Sequence, residues 1–198
     1  MLLYDSPVSG NCYKVRLLLA HLGIAFERHE MDVVDRSNRR EVLGELNPAH
    51  RVPTLVLDDG RPLAESDAIL CYLADGTPYL PENRYERAQV LQWLFFEQYQ
   101  HEPNIAVVRF WVGWASDPPP EEEIEAKRLA GYVTLDAMEI HLAQREFFVA
   151  ESFTIADIAM YGYTHVAHEG GFEMSRYPAI EAWLQRVAAQ PGHVPIEA

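Results

Sequence analysis

The chain opens with an apolar run followed by a helix-like repeat. Residues 2–4 are apolar and lead into the polar, proline-containing stretch 5–7, as at the end of a buried strand. Between Asn11 and Leu22 apolar side chains recur at the spacing of one helical face, namely Val15, Leu18, Leu19 and Leu22. Gly23 stands where a helix C-cap is expected. A buried strand and an amphipathic helix are therefore the first predicted elements.

The next fifty residues continue this alternation and end in a hairpin. Residues 25–33 alternate weakly, as in a strand, and an arginine-rich helical segment ends near Leu46. Residues 51–66 are predicted to form two short strands joined by a two-residue Asp-Gly turn. Ser66 is predicted to cap a further helix that runs through Leu73. The order strand, helix, strand, helix, hairpin, helix predicts a compact α/β unit with a mixed sheet of four strands.

The remainder of the chain is predicted to be helical. Residues 78–83 are typical of a linker, so we expect one domain at 1–77 and an all-helical bundle at 84–198. Breaks are expected at Pro103, at the DPPP stretch and at the Gly-Gly pair near residue 170. The predicted fold class is thus an α/β domain followed by an all-α domain.

Composition and charge exclude several classes of protein. The formal net charge is −14 and the basic residues are scattered, so nothing resembles a basic stripe for nucleic acid. No apolar run approaches the ~18–20 residues that span a bilayer, and the start of the chain does not resemble a signal peptide. Cys12 and Cys71 fit neither a disulfide scaffold nor a metal-ligand pair. We therefore expect a cytoplasmic protein that binds no nucleic acid, membrane or metal.

Ser9 is the first candidate for chemistry. It lies just ahead of the first predicted helix, where free backbone N–H groups and the positive end of the helix dipole favour an anion such as a thiolate. Serine and asparagine are also preferred N-caps, so a purely structural role for Ser9 or Asn11 is the alternative.

The Val52-Pro53 step is the second candidate. A proline that opens a strand leaves the backbone of Val52 able to pair with an extended, peptide-like ligand. We expect the peptide bond before Pro53 to be cis, although a trans proline at the start of a strand is the alternative.

The Glu65-Ser66 pair is the third candidate. A serine hydroxyl at a helix N-terminus suits a carboxylate, and a neighbouring glutamate suits an ammonium group, which together are the end group of an amino acid. A capping serine beside a solvated acid is the alternative.

Taken together, these three features in this order resemble the glutathione S-transferase family, closest to its serine-type branches such as theta and zeta. The stretches SGNCYKVRLLLAHLGI and NPAHRVPTLVLDDGRPLAESDAILCYLA resemble the family's first helix and glutathione-binding segment. In the helical part, ESFTIADIAMYGY resembles a buried family helix, with Thr154 as N-cap and Asp157 completing a capping box. The resemblance covers nearly the whole chain and implies a thioredoxin-like first domain.

The resemblance also implies roles for individual residues. The cysteinyl backbone of glutathione would pair with Val52 at the Pro53 step, its γ-glutamyl end would lie at Glu65 and Ser66, and its thiol at Ser9. The glycyl carboxylate would lie near Arg51.

Two further groups of residues complete the expectations. Tyr99 and Arg109 are weak candidates for an apolar cosubstrate pocket, since core packing explains most aromatic residues of that helix equally well. Cys12, near the start of the first helix, is a thiol alternative to Ser9, with a lowered pKa and a mixed disulfide with glutathione as the hypothesis. Cys71 is expected to be buried and inert.

The expected function is conjugation of glutathione to small electrophiles. A glutathione-dependent isomerase or disulfide reductase would use the same site. A non-catalytic, partner-binding protein of the same fold is the remaining alternative. The family also implies a homodimer through the helices at 66–75 and 84–115, with Asp67 reaching the partner's glutathione.

Overall fold

The computed structural model describes residues 1–198, and the chain divides into two compact units. The first unit contains Met1–Asp75 together with Pro191–Ala198, and the second contains Gly76–Gln190. Each unit is described below by itself.

A four-stranded mixed sheet forms the centre of the first unit. The elements in chain order are β1 (Leu2–Asp5), α1 (Gly10–His21), β2 (Glu27–Glu30), α2 (Arg39–Leu43), β3 (Thr54–Val56), β4 (Pro62–Ala64) and α3 (Ser66–Ala74). The strands lie in the order β2-β1-β3-β4, with β2 parallel to β1 and the other neighbours antiparallel. The predicted mixed sheet with helices is confirmed.

The hairpin between β3 and β4 has a longer loop than predicted. The N–H of Leu57 donates to the carbonyl of Arg61 at 3.0 Å, so Asp58, Asp59 and Gly60 lie between these two residues. Gly60 has a φ of 85°, a left-handed conformation that costs glycine little because it has no Cβ. The prediction of a two-residue Asp-Gly turn is therefore wrong, and Gly60 is instead the last residue of a three-residue loop.

Helix α1 is buried on more sides than its apolar spacing predicts. Its residues 12–19 are all buried, charged side chains included. The segment 191–198 covers part of this helix, and the hydroxyl of Tyr13 donates to the carbonyl of Val194 at 2.8 Å. The predicted helical domain of 84–198 differs from the structure here, because the last residues complete the first unit and form no helix.

The second unit is helical throughout. Its elements are α4 (Arg84–Phe96), a π-helix (Glu97–Ala106), α5 (Val107–Gly113), α6 (Glu121–Leu142), α7 (Ile155–Thr164), two 3₁₀-helices (Ala167–Gly170 and Met174–Arg176) and α8 (Pro178–Ala188). The DPPP stretch and the Gly170–Gly171 pair interrupt the helices as predicted. None of the helices combines the length and the apolarity that crossing a membrane requires.

The predicted break at Pro103 is wrong. The chain continues through this residue as the π-helix Glu97–Ala106. The side chain of Lys127 donates to the carbonyl of Pro103 at 2.9 Å, and that of Asn104 donates to the carbonyl of Gln100 at 2.7 Å. The chain passes Pro103 in the wider turn of a π-helix, in which hydrogen bonds join residues five apart.

The predicted capping box at the start of α7 is confirmed, and both of its side chains are fully buried. The hydroxyl of Thr154 accepts from the N–H of Ala156 at 3.2 Å, and one carboxylate oxygen of Asp157 accepts from the N–H of Thr154 at 3.0 Å. The other oxygen accepts from the indole N–H of Trp183 at 2.9 Å and from the N–H of Phe148 at 3.1 Å. Asp157 thus joins three segments of the second unit.

Candidate functional site

Three segments of the first unit meet at one edge of its sheet. β1 ends there and leads toward Ser9. β3 begins there, since Tyr4 of β1 pairs with Thr54. β4 ends there, since Thr54 also pairs with Ala64, which leads directly into Glu65. The topology therefore gathers most of the predicted glutathione-site residues at this edge.

Ser9 is the N-cap residue of α1. Its backbone is extended, with φ −80° and ψ 118°, and its Oγ accepts a hydrogen bond from the N–H of Cys12 at 3.3 Å. The side chain is half-buried. Because the hydroxyl oxygen is the acceptor in this contact, its hydrogen remains able to donate to another group.

The Val52–Pro53 peptide bond is cis. The carbonyl of Arg51 accepts from the side-chain amide of Asn47 at 3.0 Å and from the hydroxyl of Thr54 at 2.9 Å, which fixes the backbone before β3. The N–H and C=O of Val52 itself make no hydrogen bond within the chain. Backbone N–H and C=O groups that are both unpaired are what a peptide-like ligand requires.

Ser66 is the first residue of α3, and the N-cap position belongs to Glu65, so the predicted capping role of Ser66 is wrong. Glu65 has φ 67° and ψ 115° and makes no side-chain cap bond. Ser66 is buried and its hydroxyl donates to the side-chain carbonyl of Asn11 at 3.4 Å. Because Asn11 lies in the first turn of α1, the positive ends of two helices face the same place.

Lys14 is a charged residue of this region that sequence reasoning missed. It is fully buried, and its Nζ lies 3.5 Å from the hydroxyl of Ser66 and 3.4 Å from a carboxylate oxygen of Asp67. The available signal was a lysine in the interior of a strongly apolar helix, since a buried lysine is rarely present without a partner. Its ammonium group lies beside the start of α3, where the carboxylate of Asp67 offsets part of its charge.

Arg51 is exposed and lies near a second positive group. The buried guanidinium of Arg39 donates to the carbonyls of Asp32 at 2.9 Å and His50 at 3.4 Å. Burial, together with the charges of Arg36 and Arg51, lowers the pKa of Arg39 below its usual range. The segment before β3 is therefore positive and suits a carboxylate.

Comparison with known proteins decides the family. Residues 8–75 match the family profile for the glutathione S-transferase N-terminal domain, and residues 78–191 match the profile for its C-terminal domain. The chain belongs to the glutathione S-transferase family. The structure of a glutathione S-transferase from Pseudomonas fluorescens is 47% identical, covers 98% of each chain and superposes with a TM-score of 0.93.

Two curated relatives cover most of the chain. Glutathione S-transferase 3 from Zea mays is 30% identical over an alignment of 203 positions that covers 96% of this chain and 89% of that protein. The disulfide-bond oxidoreductase YfcG from Escherichia coli is 28% identical over an alignment of 200 positions that covers 96% of this chain and 90% of that protein.

Cys12 does not have the properties expected of a second reactive thiol in this glutathione S-transferase family member. It is fully buried, and burial, followed by the negative charge of Asp5, raises the pKa of its thiol to about 12. The hypothesis of a lowered pKa is therefore wrong, because desolvation outweighs the effect of the helix N-terminus. Cys71 is only half-buried, so the prediction that it is buried is wrong as well.

The two weak cosubstrate candidates of this glutathione S-transferase family member lie in its second unit. Tyr99 is 83% exposed on the π-helix. Arg109 is buried, pairs with Glu169 at 2.8 Å and lies over the ring of Trp114 at 4.4 Å. The contacts of Arg109 explain its presence by packing within that unit. No group of three or more metal-ligating side chains that could hold an ion occurs in the chain.

Proposed function

We propose that the chain is a glutathione transferase that conjugates the glutathione thiolate to small apolar electrophiles, with a role in detoxification. The proposal rests on one observation. The N-termini of α1 and α3 and the unpaired backbone groups of Val52 lie at the same edge of the sheet of the first unit. Membership of the glutathione S-transferase family supports it. The serine at the start of α1 favours a serine-type branch similar to theta and zeta.

Each part of glutathione has a matching group in the proposed site. The γ-glutamyl carboxylate would bind Ser66 at the start of α3, beside the buried ammonium of Lys14, and its amino group would pair with Glu65. The cysteinyl backbone would bond to the N–H and C=O of Val52, in the position set by Pro53. The glycyl carboxylate would face Arg51.

Ser9 would then donate a hydrogen bond to the sulfur. A free thiol has a pKa of about 8.5, and lowering it by two units requires about 2.7 kcal/mol of preferential stabilisation of the thiolate. A hydrogen bond to a charged group contributes about 1.5–3 kcal/mol, and a helix N-terminus about 0.3–1 kcal/mol. The two together are of the required size, and Ser9 forms no covalent bond in this mechanism.

A disulfide reductase or an isomerase is the second candidate, and the similarity to YfcG specifically favours the reductase. Because Cys12 is buried and protonated, such an enzyme would take its thiolate from glutathione and not from the chain. A partner-binding protein without catalysis is a third possibility, which the absence of glutathione binding would favour.

We also propose a cytoplasmic homodimer. Tyr72 on α3 is 51% exposed, Phe95 on α4 is 70% exposed, and Leu91 one helical turn earlier on α4 is exposed as well. Exposed apolar residues mark an interaction surface where they are contiguous, as Leu91 and Phe95 are on one face of α4. Asp67, which follows Ser66, would reach toward the glutathione of the other protomer. Equilibrium sedimentation tests this part, and a monomer at micromolar concentration would contradict it.

The function is tested by calorimetric titration with glutathione and by conjugation to a generic aryl halide. We expect Ser9→Ala to keep glutathione affinity within about threefold and to lose about 10- to 100-fold in kcat/KM, the range set by one hydrogen bond to a charged group. Ser175→Ala, at an exposed serine of the second unit, is the matched control and should behave like the wild type. A wild type that binds no glutathione would refute the proposal, and full activity in Ser9→Ala would refute the role of Ser9.

A further inference from the structure

We propose that Arg16 is a positioning residue that holds the loop of Ser9 in place while the segment 191–198 is docked against α1. The Ser9 loop is defined here as residues 6–9. The inference rests on the proposed function, because it concerns the orientation of Ser9 toward a bound thiol.

Arg16 fixes the backbone of the Ser9 loop directly. Its guanidinium is buried, and it donates to the carbonyl of Ser6 at 3.3 Å and to the carbonyl of Pro7 at 3.2 Å. Within the loop, the N–H of Ser9 also donates to the carbonyl of Ser6 at 3.1 Å. The direction in which Ser9 leaves the loop therefore depends on carbonyls that one guanidinium holds.

The guanidinium is in turn held from two sides. Arg16 Nη1 lies 2.5 Å from Oδ1 of Asp5, and Nη2 donates to the carbonyl of Ile196 at 2.5 Å. The other carboxylate oxygen of Asp5 pairs with Nη2 of Arg28 at 2.7 Å, and Nη1 of Arg28 donates to the carbonyl of Ala198 at 2.9 Å. The segment 191–198 thus supplies an acceptor to Arg16 and a second acceptor to the neighbouring Arg28.

The segment is anchored by contacts that are independent of Arg16. The hydroxyl of Tyr13 donates to the carbonyl of Val194, a ring nitrogen of His21 lies 2.9 Å from the carbonyl of Pro191, and the side chain of Ile196 is only 7% exposed. Displacing the segment would remove one of the acceptors that orient the guanidinium, and the two loop carbonyls would lose a fixed donor.

The charges around the Ser9 loop act on an anion bound beside it, so the position of the loop affects the stability of that anion. Asp5 is negative, Arg16 and Arg28 are positive, and the nearby ring of His193 lies 3.3 Å from the hydroxyl of Tyr13. The charge of Asp5 raises the pKa of the Cys12 thiol and that of Arg16 lowers it, so both charges act at the first turn of α1, where Cys12 lies. If the guanidinium of Arg16 were held less firmly, it would offset less of the negative charge of Asp5.

The test is the pH dependence of kcat/KM for conjugation, because a purely structural role would not shift its midpoint. Ile196→Asp places a carboxylate at the buried position of Ile196 and should displace the segment 191–198. Arg16→Lys keeps the charge but cannot bridge both loop carbonyls and the carbonyl of Ile196. We expect this pH midpoint to rise by about one unit in both variants. At pH values below the midpoint, kcat/KM should then be about tenfold lower than in the wild type, while glutathione affinity changes less than about threefold. Ile196→Ala should show a smaller rise.

Glu197→Gln, at an exposed residue of the same segment, is the control and should match the wild type. Thermal melting identifies any variant that does not fold, and Ile196→Ala decides the matter if Ile196→Asp and Arg16→Lys both fail to fold. Unchanged midpoints in folded variants would overturn the inference. A wild type that binds glutathione and has a lowered midpoint would then still support the proposed function, whereas a wild type that binds no glutathione would remove both.

Discussion

Thr154→Ala removes the hydroxyl that caps α7, and its cost can be worked out from the contacts of that hydroxyl. The side chain is fully buried, accepts from the N–H of Ala156 at 3.2 Å and lies 3.3 Å from a carboxylate oxygen of Asp157. Loss of an N-cap costs about 1 kcal/mol at a typical helix end. Here α7 is buried along its whole length, so the N–H of Ala156 is left without an acceptor, a situation that costs about 1–3 kcal/mol. We expect the free energy of unfolding to fall by about 2 kcal/mol.

Urea unfolding at pH 7, followed by tryptophan fluorescence, measures this change. A loss of this size should also lower Tm by about 4–8 °C in a chain of this length. Thr154→Ser is the matched control, because it keeps the hydroxyl and removes only a methyl group, and it should retain most of the stability. The reasoning would be refuted by an alanine variant within 0.5 kcal/mol of the wild type, or by a serine variant as unstable as alanine.

Three further predictions concern buried groups. Burial raises the pKa of Asp157 to about 6 from 3.8. The folded chain therefore binds this proton more tightly than the unfolded chain, and the free energy of unfolding should fall by on the order of 2–3 kcal/mol as pH rises from about 4 to about 6. The comparison of urea midpoints with those of Asp157→Asn isolates this effect, and an equal fall in both proteins would contradict it. A thiol reagent at pH 8 should modify Cys71 and leave Cys12 unmodified until the chain unfolds, so a Cys71→Ser variant that reacts while folded would disprove the burial argument. Gly131→Ala would place a Cβ 2.6 Å from a ring atom of Phe172 and should cost about 1–3 kcal/mol, whereas Gly113→Ala meets nothing within 4 Å and should be neutral or slightly stabilising.

Local patterns in the sequence predicted most elements of the first unit and the start of α7. The spacing of apolar residues located α1, and the Thr154 and Asp157 pair located a capping box that the structure contains. Ser9, Val52 and Glu65 could be singled out because each stands at a position where an element begins, and such positions have recognisable residue types. These are features that depend on neighbours within a few residues.

Features that depend on distant residues could not be predicted in this way. Lys14 and the thiol of Cys12 lie on an apolar helix, and only the packing of α3 and of the segment 191–198 shows that both are enclosed. Pro103 signals a helix break locally, but the chain passes it as a π-helix that packs against α6, a helix later in the sequence. The segment 191–198 itself has no apolar repeat that would have indicated where it packs.

The return of residues 191–198 to the first unit has a consequence for synthesis of the chain. The sheet and its helices are complete in sequence at Asp75, yet the acceptors for Tyr13 and Arg16 belong to residues beyond Pro191. At about 5–20 residues per second, the 115 residues of Gly76–Gln190 take about 6–23 s to be made. During that interval the nascent unit exposes one side of α1, and its final closure waits for the last residues to emerge. A chaperone that binds α1 would have access to it during that interval.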